Sequence, residues 1–528
     1  MKEFPGVFHV YDTTLRDGAQ QEGLRLTGSD KLRIARMLDE LGVGFIEGGW
    51  PGANPSDTAF FAAAHRELEL RNAVLTAFGS TRRPGMEAAE DPLVQALVDA
   101  NTEVVCIVAK SHDEHVFRAL KTTLEENLAM VRDTVTHLRG QGKRVFVDCE
   151  HYFDGYRANP EYALAVVAEA ANAGAEVVVL CDTNGGMLPA WVGGIVAQTA
   201  HVGVNLGVHC HNDTGCAVAN TLAAVDAGVV HVQGTVNGHG ERTGNADLIT
   251  VAADLQLKYA WPVLPEGSLA DATRVAHGVA GVTNVAVSGR QPYVGLSAFT
   301  HKAGLHASAI KVDSNLYQHI DPVLVGNDMR MLVSDMAGRA NIQIKGEELG
   351  YDLADRDLAA RITDRVKTAE MAGYSYESAD ASFELLIRDE LGLSREFFEV
   401  VSWRVLTSNV VSAEGDSEAV VKVRVNGMVE SLVGEGLGPL NALDVALRRA
   451  LASAYPKVND LELIDYRVRI LDQGHGTDAI VRTLIDTTDG ERTWTTVGVG
   501  TNVIEASWEA LHEAYRWGLD VLLARSDR

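Results

Sequence analysis

One pattern recurs eight times in the first 240 residues: a short run rich in Val and Ile, a polar or glycine-rich turn, and a stretch with helical periodicity. The runs begin at Val7, Gly44, Ala73, Glu103, Arg144, Glu176, Asn205 and His231. Near-continuous apolar strands that alternate with helices are typical of parallel strands buried on both faces. Eight such units in this length favour a (β/α)8 TIM barrel over an open doubly wound sheet. No glycine-rich phosphate-binding fingerprint follows the first strand, which disfavours the open sheet.

After the barrel, we expect two further regions in the chain. At 528 residues the chain exceeds one ordinary core, so two or three domains are expected. We predict that the barrel spans residues 1–263 and that a linker region with helical subdomains spans residues 264–397. Strand-like runs such as EAVVKVRV then predict an α+β domain over residues 398–528.

This last region contains an internal repeat. VGEGLGPLNALDVALRRAL begins at Val433, and VGVGTNVIEASWEALHEAY begins at Val497. Glycine, alanine and leucine positions recur 64 residues later, as Gly498 follows Gly434. Two copies of a strands-then-helix unit predict a duplicated domain with pseudo-twofold symmetry. Its carboxylates and histidines do not cluster in the sequence, so binding or dimerisation fits this domain better than catalysis.

The composition excludes several classes of function. A net charge of -26 argues against binding to nucleic acid or to an anionic membrane, where Lys and Arg should dominate. The N-terminus lacks the apolar core of a signal peptide, and no apolar run is long enough to span a membrane. The five cysteines form no CxxC pair. We therefore expect a cytoplasmic protein with reduced thiols.

Polar residues follow directly after the first and seventh strands. The stretch FHVYDTTLRDGAQ carries Arg16 and Asp17, and GVHCHND carries His209 and His211. In a TIM barrel, function lies on the loops after the carboxyl ends of the strands. Two histidines spaced by two on a strand face the same way, which suits a divalent metal. The alternative for the histidines alone is a structural, hydrogen-bonded pair.

Other strand ends carry further candidates, each with a structural alternative. Asn245, in NGHGERTGN, is either an oxygen ligand or the cap of the helix that follows. Asp148 and Glu150 share a face of the fifth strand, and Glu150 is either a base or substrate-orienting group, or a salt-bridge partner. Asp182 and Thr183, at the end of the sixth strand, either bind a carboxylate substrate or cap the next helix.

Taken together, DTTLRDGAQ, HCHND and NGHGERTGN resemble the signatures of the acetyl-CoA-dependent α-keto acid synthases. This is the 2-isopropylmalate synthase/homocitrate synthase family, within the HMG-CoA lyase-like barrel superfamily. HKAGLHASAI is similar to the family's linker motif, and the C-terminal repeat resembles its amino-acid-sensing regulatory domain. The resemblance covers the whole chain. It implies a divalent metal (Mg2+, Mn2+ or Zn2+) and acetyl-CoA as co-substrate.

The resemblance implies roles for individual residues near the metal. Asp17, His209 and His211 match the family's metal ligands, and Asn245 matches a position in or near the same shell. Asp17 is also expected to contact the substrate. Arg16 matches the catalytic arginine, which would add positive charge where the new alkoxide develops.

Further positions match substrate-binding and linker residues of the family. Glu150 matches an acidic residue that orients or activates substrates, and Thr183 matches a contact to the substrate carboxylate. His306 and Tyr317 match linker residues that reach an active site, in family dimers that of the neighbouring subunit. Ser308 departs from the acidic residue that many relatives carry two places after the linker histidine. The base is therefore expected to be either Glu150 or His306.

Within the family, EGGWPGANPSD and DCEHYFDGY are similar to the long, regulated branch whose acceptor is pyruvate. The resemblance then implies a homodimer and feedback by a branched-chain amino acid, most simply isoleucine. One alternative is 2-oxoisovalerate as acceptor, in leucine biosynthesis. A second is an HMG-CoA lyase-like enzyme that cleaves a hydroxyacyl-CoA, although a simple lyase needs no feedback sensor. A third, a non-catalytic scaffold on a decayed barrel, is disfavoured because the motif residues are retained together.

Overall fold

A computed structural model describes residues 3–334, 338–408, 417–471 and 479–524. The chain divides into two compact units, Met1–Phe299 with Ile320–Asp328, and Thr300–His319 with Met329–Arg528. Among the described helices, none combines the length and the apolarity that crossing a bilayer requires.

Eight parallel strands in the first unit close into a barrel, which confirms the predicted fold class. Neighbouring strands pair in chain order, and β1 closes the barrel by pairing with β8. The strands are β1 (His9–Asp12), β2 (Phe45–Gly49), β3 (Val74–Ser80), β4 (Val104–Lys110), β5 (Arg144–Glu150), β6 (Val177–Asp182), β7 (Asn205–Cys210) and β8 (His231–Gly234). Each predicted apolar run contains one of these strands.

The main helices of this unit follow the strands. They are α1 (Gly28–Leu41), α2 (Pro55–Glu67), α3 (Pro92–Asp99), α4 (Leu124–Gly140), α5 (Pro160–Ala173), α6 (Pro189–Thr199), α7 (Ala217–Ala227), α8 (Leu248–Leu257) and α9 (Ala272–Thr283). A shorter helix, Tyr152–Ala158, lies between β5 and α5. Thr27 caps α1 in a capping box with Asp30.

The strands carry apolar side chains on both faces because both faces are covered. Outward residues pack under the helices in one large core. Inward residues, among them Tyr11, Phe45 and Phe146, fill the barrel interior with aromatic contacts. In a barrel of this kind, function lies at the end formed by the carboxyl ends of the strands. We refer to this end as the barrel mouth.

The second unit begins with helices and two short strands. Its first helices are α10 (Gly304–Ile310), α11 (Arg339–Glu348), α12 (Arg356–Met371) and α13 (Asp380–Leu391). Thr300–His301 and Arg330–Met331 pair as a parallel two-stranded sheet. A compact cluster around Ile342, Ile362 and Phe383 joins α11, α12 and α13.

The unit ends with two copies of three antiparallel strands and a helix, as the repeat predicted. The first copy contains β9 (Glu399–Thr407), β10 (Ser417–Val425), β11 (Met428–Gly436) and α14 (Pro439–Ala452). The second contains β12 (Glu462–Ile470), β13 (Val481–Thr488), β14 (Thr493–Gly500) and α15 (Val503–Ala524). A Cβ at Gly434 or Gly498 would overlap the backbone of the following helix, so close strand–helix packing explains why both copies keep this glycine.

Candidate metal centre and active site

The turn after β1 is held at the barrel mouth by buried hydrogen bonds. The Thr13 backbone N–H donates to the Gly234 carbonyl at 2.8 Å, and the Thr13 hydroxyl donates to the same carbonyl at 3.1 Å. The Asp12 carboxylate accepts from the Thr14 N–H at 2.9 Å and from its hydroxyl at 2.8 Å. Burial raises the pKa of Asp12 to about 7, although the bonds from Thr14 oppose the rise. These contacts fix the segment that carries Arg16 and Asp17.

Asp17, His209 and His211 converge on one point at the mouth. Asp17 Oδ2 lies 3.1 Å from His209 Nε2 and 3.6 Å from His211 Nε2. The two Nε2 atoms lie 3.4 Å apart. All three residues are buried, and one ligand atom from each lies within 4.8 Å of the others. Two imidazole nitrogens and a carboxylate oxygen at this spacing fit a single divalent cation.

Asn245 completes this cluster. Its Nδ2 lies 2.6 Å from Asp17 Oδ2 and 3.3 Å from His209 Nε2, while its Oδ1 is buried without a hydrogen-bond partner. Turning the amide over would aim that oxygen at the cluster, as an oxygen ligand requires. The cap of α8 is Asp247, whose carboxylate accepts from the Thr250 N–H, so the capping alternative for Asn245 is wrong. A Cβ at Gly240 would overlap the side-chain amide of Asn245, which explains the glycine at this position.

Arg16 joins the cluster to a buried acid that the sequence analysis missed. Its Nε donates to Glu47 Oε2 at 2.6 Å, its Nη1 lies 3.3 Å from Asp17 Oδ1, and its guanidinium lies 3.9 Å above the Phe78 ring. Burial disfavours the charged guanidinium, but Glu47 and Asp17 outweigh burial and raise the pKa of Arg16 above its ordinary value. Arg16 is therefore a permanent cation beside the cluster of Asp17, His209 and His211. The signal for Glu47 was an acid in the middle of the otherwise uncharged strand β2.

Hydrogen bonds on the side of the His209 ring that faces away from Asp17 orient this side chain. His209 Nδ1 lies 2.9 Å from Gln233 Oε1, and Gln233 Nε2 donates to Asp148 Oδ1 at 3.0 Å. The Cys106 thiol donates to the same carboxylate oxygen at 3.2 Å. An Nδ1–H donated to Gln233 leaves Nε2 as the lone-pair atom that faces Asp17. Asp148 thus lies deeper than Glu150 on β5 and supports the cluster indirectly.

A cavity of about 400 Å³ opens at the mouth above this cluster. Glu150 lines it and forms an ion pair with Lys110. Thr183 lines it as well, and its hydroxyl accepts a hydrogen bond from the His151 N–H at 2.8 Å. Asp182 instead accepts from the backbone N–H groups of the loop that follows β6. Six of the predicted residues of the first unit therefore border one cavity: Arg16, Asp17, Glu150, Thr183, His209 and His211.

His306 and Tyr317 lie in the second unit. His306 belongs to α10, and its ring stacks on that of Tyr317 with centroids 4.1 Å apart. This stacking holds the two rings in one orientation. Their access to a barrel mouth stays a prediction.

A closed (β/α)8 barrel with carboxylate, imidazole and amide groups around one point, beside a buried arginine, is the arrangement expected of a metal-dependent barrel enzyme. Family profiles agree with this class. Residues 8–276 match the HMGL-like family, residues 293–373 match the homocitrate synthase post-HMGL domain-like family, and residues 377–518 match the LeuA allosteric (dimerisation) domain.

Full-length relatives narrow the class. The chain is 62% identical over 520 residues to an (R)-citramalate synthase of Streptomyces coelicolor, covering 98% of this chain and 97% of that one. It is 48% identical to the (R)-citramalate synthases of Aquifex aeolicus, with 96% of both chains covered, and of Synechocystis sp., with 97% of this chain and 96% of that one covered. The chain therefore belongs to the HMGL-like family, in the group that contains the (R)-citramalate synthases.

Proposed function

We propose that the protein condenses acetyl-CoA with pyruvate and hydrolyses the thioester, giving citramalate and CoA for isoleucine biosynthesis. The observation that carries this proposal is the convergence of Asp17, His209 and His211 beside Arg16, in a chain related over nearly its full length to (R)-citramalate synthases. A transferase that converts an acyl group into an alkyl group needs an electrophilic carbonyl and a stabilised enolate. The cavity at the mouth is lined by side chains that could polarise the carbonyl and by side chains that could stabilise the enolate.

The residues of the first unit have separate tasks in this reaction. A divalent cation held by Asp17, His209, His211 and Asn245 would supply Lewis acidity to the keto group; Mg2+, Mn2+ and Zn2+ are all compatible with this ligand set. Thr183 holds the carboxylate of the keto acid. Arg16 stabilises the negative charge that develops on the keto oxygen, a contribution of about 3 kcal/mol when water is excluded.

A base must also remove a proton from the methyl group of acetyl-CoA. Glu150 lines the cavity and could act directly or through a water molecule. His306 of a neighbouring subunit, with Tyr317 stacked on it, is the alternative. The enolate carbon then attacks the keto carbon, and water hydrolyses the thioester.

The test of the function is CoA release from acetyl-CoA with a panel of keto acids: pyruvate, 2-oxobutyrate and 2-oxoisovalerate. We expect the highest kcat/KM with pyruvate. A preference for 2-oxoisovalerate would instead make the protein a 2-isopropylmalate synthase. No CoA release with any keto acid, together with cleavage of a hydroxyacyl-CoA, would replace the synthase by a lyase.

We propose that the C-terminal repeat binds isoleucine as a feedback inhibitor. A cavity of about 570 Å³ in the second unit lies between the two copies of the repeat. Leu443, Leu463 and Ile504 give it an apolar wall, and Asp444 provides a carboxylate. An apolar amino acid could place its side chain on that wall and its ammonium group near Asp444.

Ile504→Trp should fill this cavity and abolish inhibition by isoleucine. The added indole occupies the volume that the effector needs, so we expect the inhibition constant to rise at least tenfold. Titration of CoA release with isoleucine measures the change. Leu393→Trp, at an exposed position outside the cavity, is the matched control and should keep normal inhibition. Unchanged inhibition of the Ile504→Trp protein would refute the assignment.

We also propose that the protein is a homodimer. Strand β12 is an edge strand and exposes the apolar residues Ile464, Tyr466, Val468 and Ile470, of which Val468 is 44% and Ile470 54% exposed. An edge strand with exposed apolar side chains is a typical site for association with another chain. The match of residues 377–518 to a LeuA allosteric (dimerisation) domain supports the same proposal.

Val468→Lys should weaken this dimer, because burial of an unpaired ammonium group at an interface is costly. We expect sedimentation velocity to show a monomer at concentrations where the wild type is dimeric. Met371→Lys, at another exposed apolar position, is the control and should leave the dimer intact. A wild-type protein that is monomeric and fully active would contradict the proposal.

The domain limits and the cellular location are proposals of the same kind. We keep residues 1–263 as the catalytic barrel, 264–397 as the linker and 398–528 as the regulatory domain; the successive family matches support a three-part chain. The five cysteines are free thiols, and four of them are buried. Free thiols fit a reducing, cytoplasmic compartment.

A further inference from the structure

We propose that Lys110 is a catalytic residue of the condensation. Its ammonium group donates a hydrogen bond to the thioester oxygen of acetyl-CoA, while its neighbour Glu150 takes the proton from the methyl group. The inference rests on the function proposed above and deepens it. It assigns both halves of the enolisation step, the base and the oxyanion donor, to one pair of adjacent strands.

The backbone at this pair is firmly held. Lys110 and Glu150 are register partners at the ends of β4 and β5. The Lys110 carbonyl accepts from Asn127 Nδ2 at 2.9 Å, and the Glu150 carbonyl accepts from the Ser111 hydroxyl at 2.7 Å. Both side chains line the mouth cavity, and each is 26% exposed. The pair is thus anchored through its backbone and presents its charged groups to the substrate space.

Lys110 differs from the other two cations that line the cavity. Arg16 forms ion pairs with Glu47 and Asp17. Arg242 donates to both carboxylate oxygens of Asp213, at 2.9 and 3.0 Å, and to the Thr183 carbonyl at 2.8 Å.

Within the described chain, by contrast, the Lys110 ammonium has a single partner, the Glu150 carboxylate. An ammonium group has three N–H donors, so two remain for a ligand.

The geometry of the pair suits a thioester. In acetyl-CoA the acidic methyl carbon and the carbonyl oxygen are both bonded to the carbonyl carbon, so a base and a donor must stand side by side. A carboxylate in contact with an ammonium group meets that requirement. Removing the proton breaks a methyl C–H bond, and the proton passes to a Glu150 oxygen. The C–H electron pair becomes a C=C bond while the carbonyl π electrons move to oxygen.

Charge balance favours this arrangement. Before proton transfer, the ammonium of Lys110 faces the negative carboxylate of Glu150. After transfer, Glu150 is neutral and the enolate oxygen carries the negative charge, which lies against the same ammonium group. The cation therefore faces one negative charge throughout, and little reorganisation is needed as the enolate forms. The enolate then forms the new C–C bond to the keto carbon, and the thioester C=O bond is restored.

The test is Lys110→Met, assayed for CoA release with acetyl-CoA, with its trideuterated methyl form, and with varied pyruvate. Loss of one donor to a developing oxyanion typically lowers kcat by about 10²–10³-fold, and we expect a fall of at least about 100-fold. Because enolisation is then the slow step, we expect a deuterium isotope effect on kcat clearly above unity. The KM for pyruvate should change little, and Lys110→Arg should restore part of the rate.

Lys121→Met makes the same change of charge at an exposed lysine after the same strand and should behave as wild type. A Lys110→Met protein with kcat within tenfold of wild type would overturn the inference. So would a large fall in kcat without an isotope effect, or a fall explained by a raised KM for pyruvate, which would mark Lys110 as a carboxylate contact. Absence of CoA release by the wild type would overturn the proposed function, and this inference with it.

Discussion

A His209→Ala/His211→Ala protein is expected to bind no divalent metal and to lose CoA release by at least about 1000-fold. The double variant removes both imidazole nitrogens from a cluster in which Asp17 Oδ2 lies 3.1 and 3.6 Å from them. A carboxylate and an amide do not retain a cation without them. Loss of Lewis acidity costs several kcal/mol of transition-state stabilisation, and about 4 kcal/mol corresponds to the stated factor.

Two measurements check this expectation independently. Calorimetric titration with Mn2+ reports metal affinity without reference to catalysis, and circular dichroism reports whether the barrel is still folded. A His65→Ala/His201→Ala protein loses two histidines that lie outside the mouth cavity, and it should keep both metal and activity. Metal binding of normal affinity in the His209→Ala/His211→Ala protein would show that the two histidines are structural and would remove the basis of the proposed function.

An Arg16→Gln protein is expected to lose rate and stability for two separate reasons. The developing alkoxide loses its cation, which should lower kcat by about 100-fold or more. The carboxylate of Glu47 also loses its cation while buried, and breaking such a pair costs roughly 3–5 kcal/mol of unfolding free energy. Burial already raises the pKa of Glu47, and Arg16 is the main group that opposes the rise.

A second substitution separates the two effects. Glu47→Gln in the Arg16→Gln background removes the unpaired buried charge, so we expect most of the stability to return. The rate should stay low, because the cation at the reaction centre is still missing. Denaturant unfolding and kcat with pyruvate provide the two readouts. Recovery of the rate in the double variant would show that Arg16 acts only by supporting the fold.

Much of the barrel was predictable because its determinants are local. Each strand is a run of mostly apolar residues, and the charged residues Arg16 and Asp17 that follow β1 mark the end of the barrel where the mouth lies. The repeat in the last region could be recognised for the same reason, since Gly434 and Gly498 lie in short segments of similar sequence. Polar motifs at strand ends then indicated Asp17, His209 and His211 as neighbours.

Other parts of the candidate site depend on contacts between distant segments. Glu47 becomes important only because the closed barrel sets it against Arg16, and Gln233 only because it bridges His209 and Asp148. Lys110 acquires its role from the register that places it opposite Glu150. Gln233 and Lys110 belong to none of the motifs quoted above, and EGGWPGANPSD contains Glu47 without indicating its partner, so spacing alone could not assign these contacts.

Sequence was enough to predict the eight-stranded barrel, the duplicated C-terminal region and the residues of the candidate metal site, because hydrophobic periodicity and strand-end chemistry are properties of short segments. Tertiary structure alone decided that Asn245 turns toward Asp17 while Asp247 caps the helix, and that Arg16, Glu47, Lys110 and Glu150 stand as two ion pairs at one mouth. Those outcomes depend on distances between atoms that lie tens to hundreds of residues apart, and closure of the barrel sets those distances.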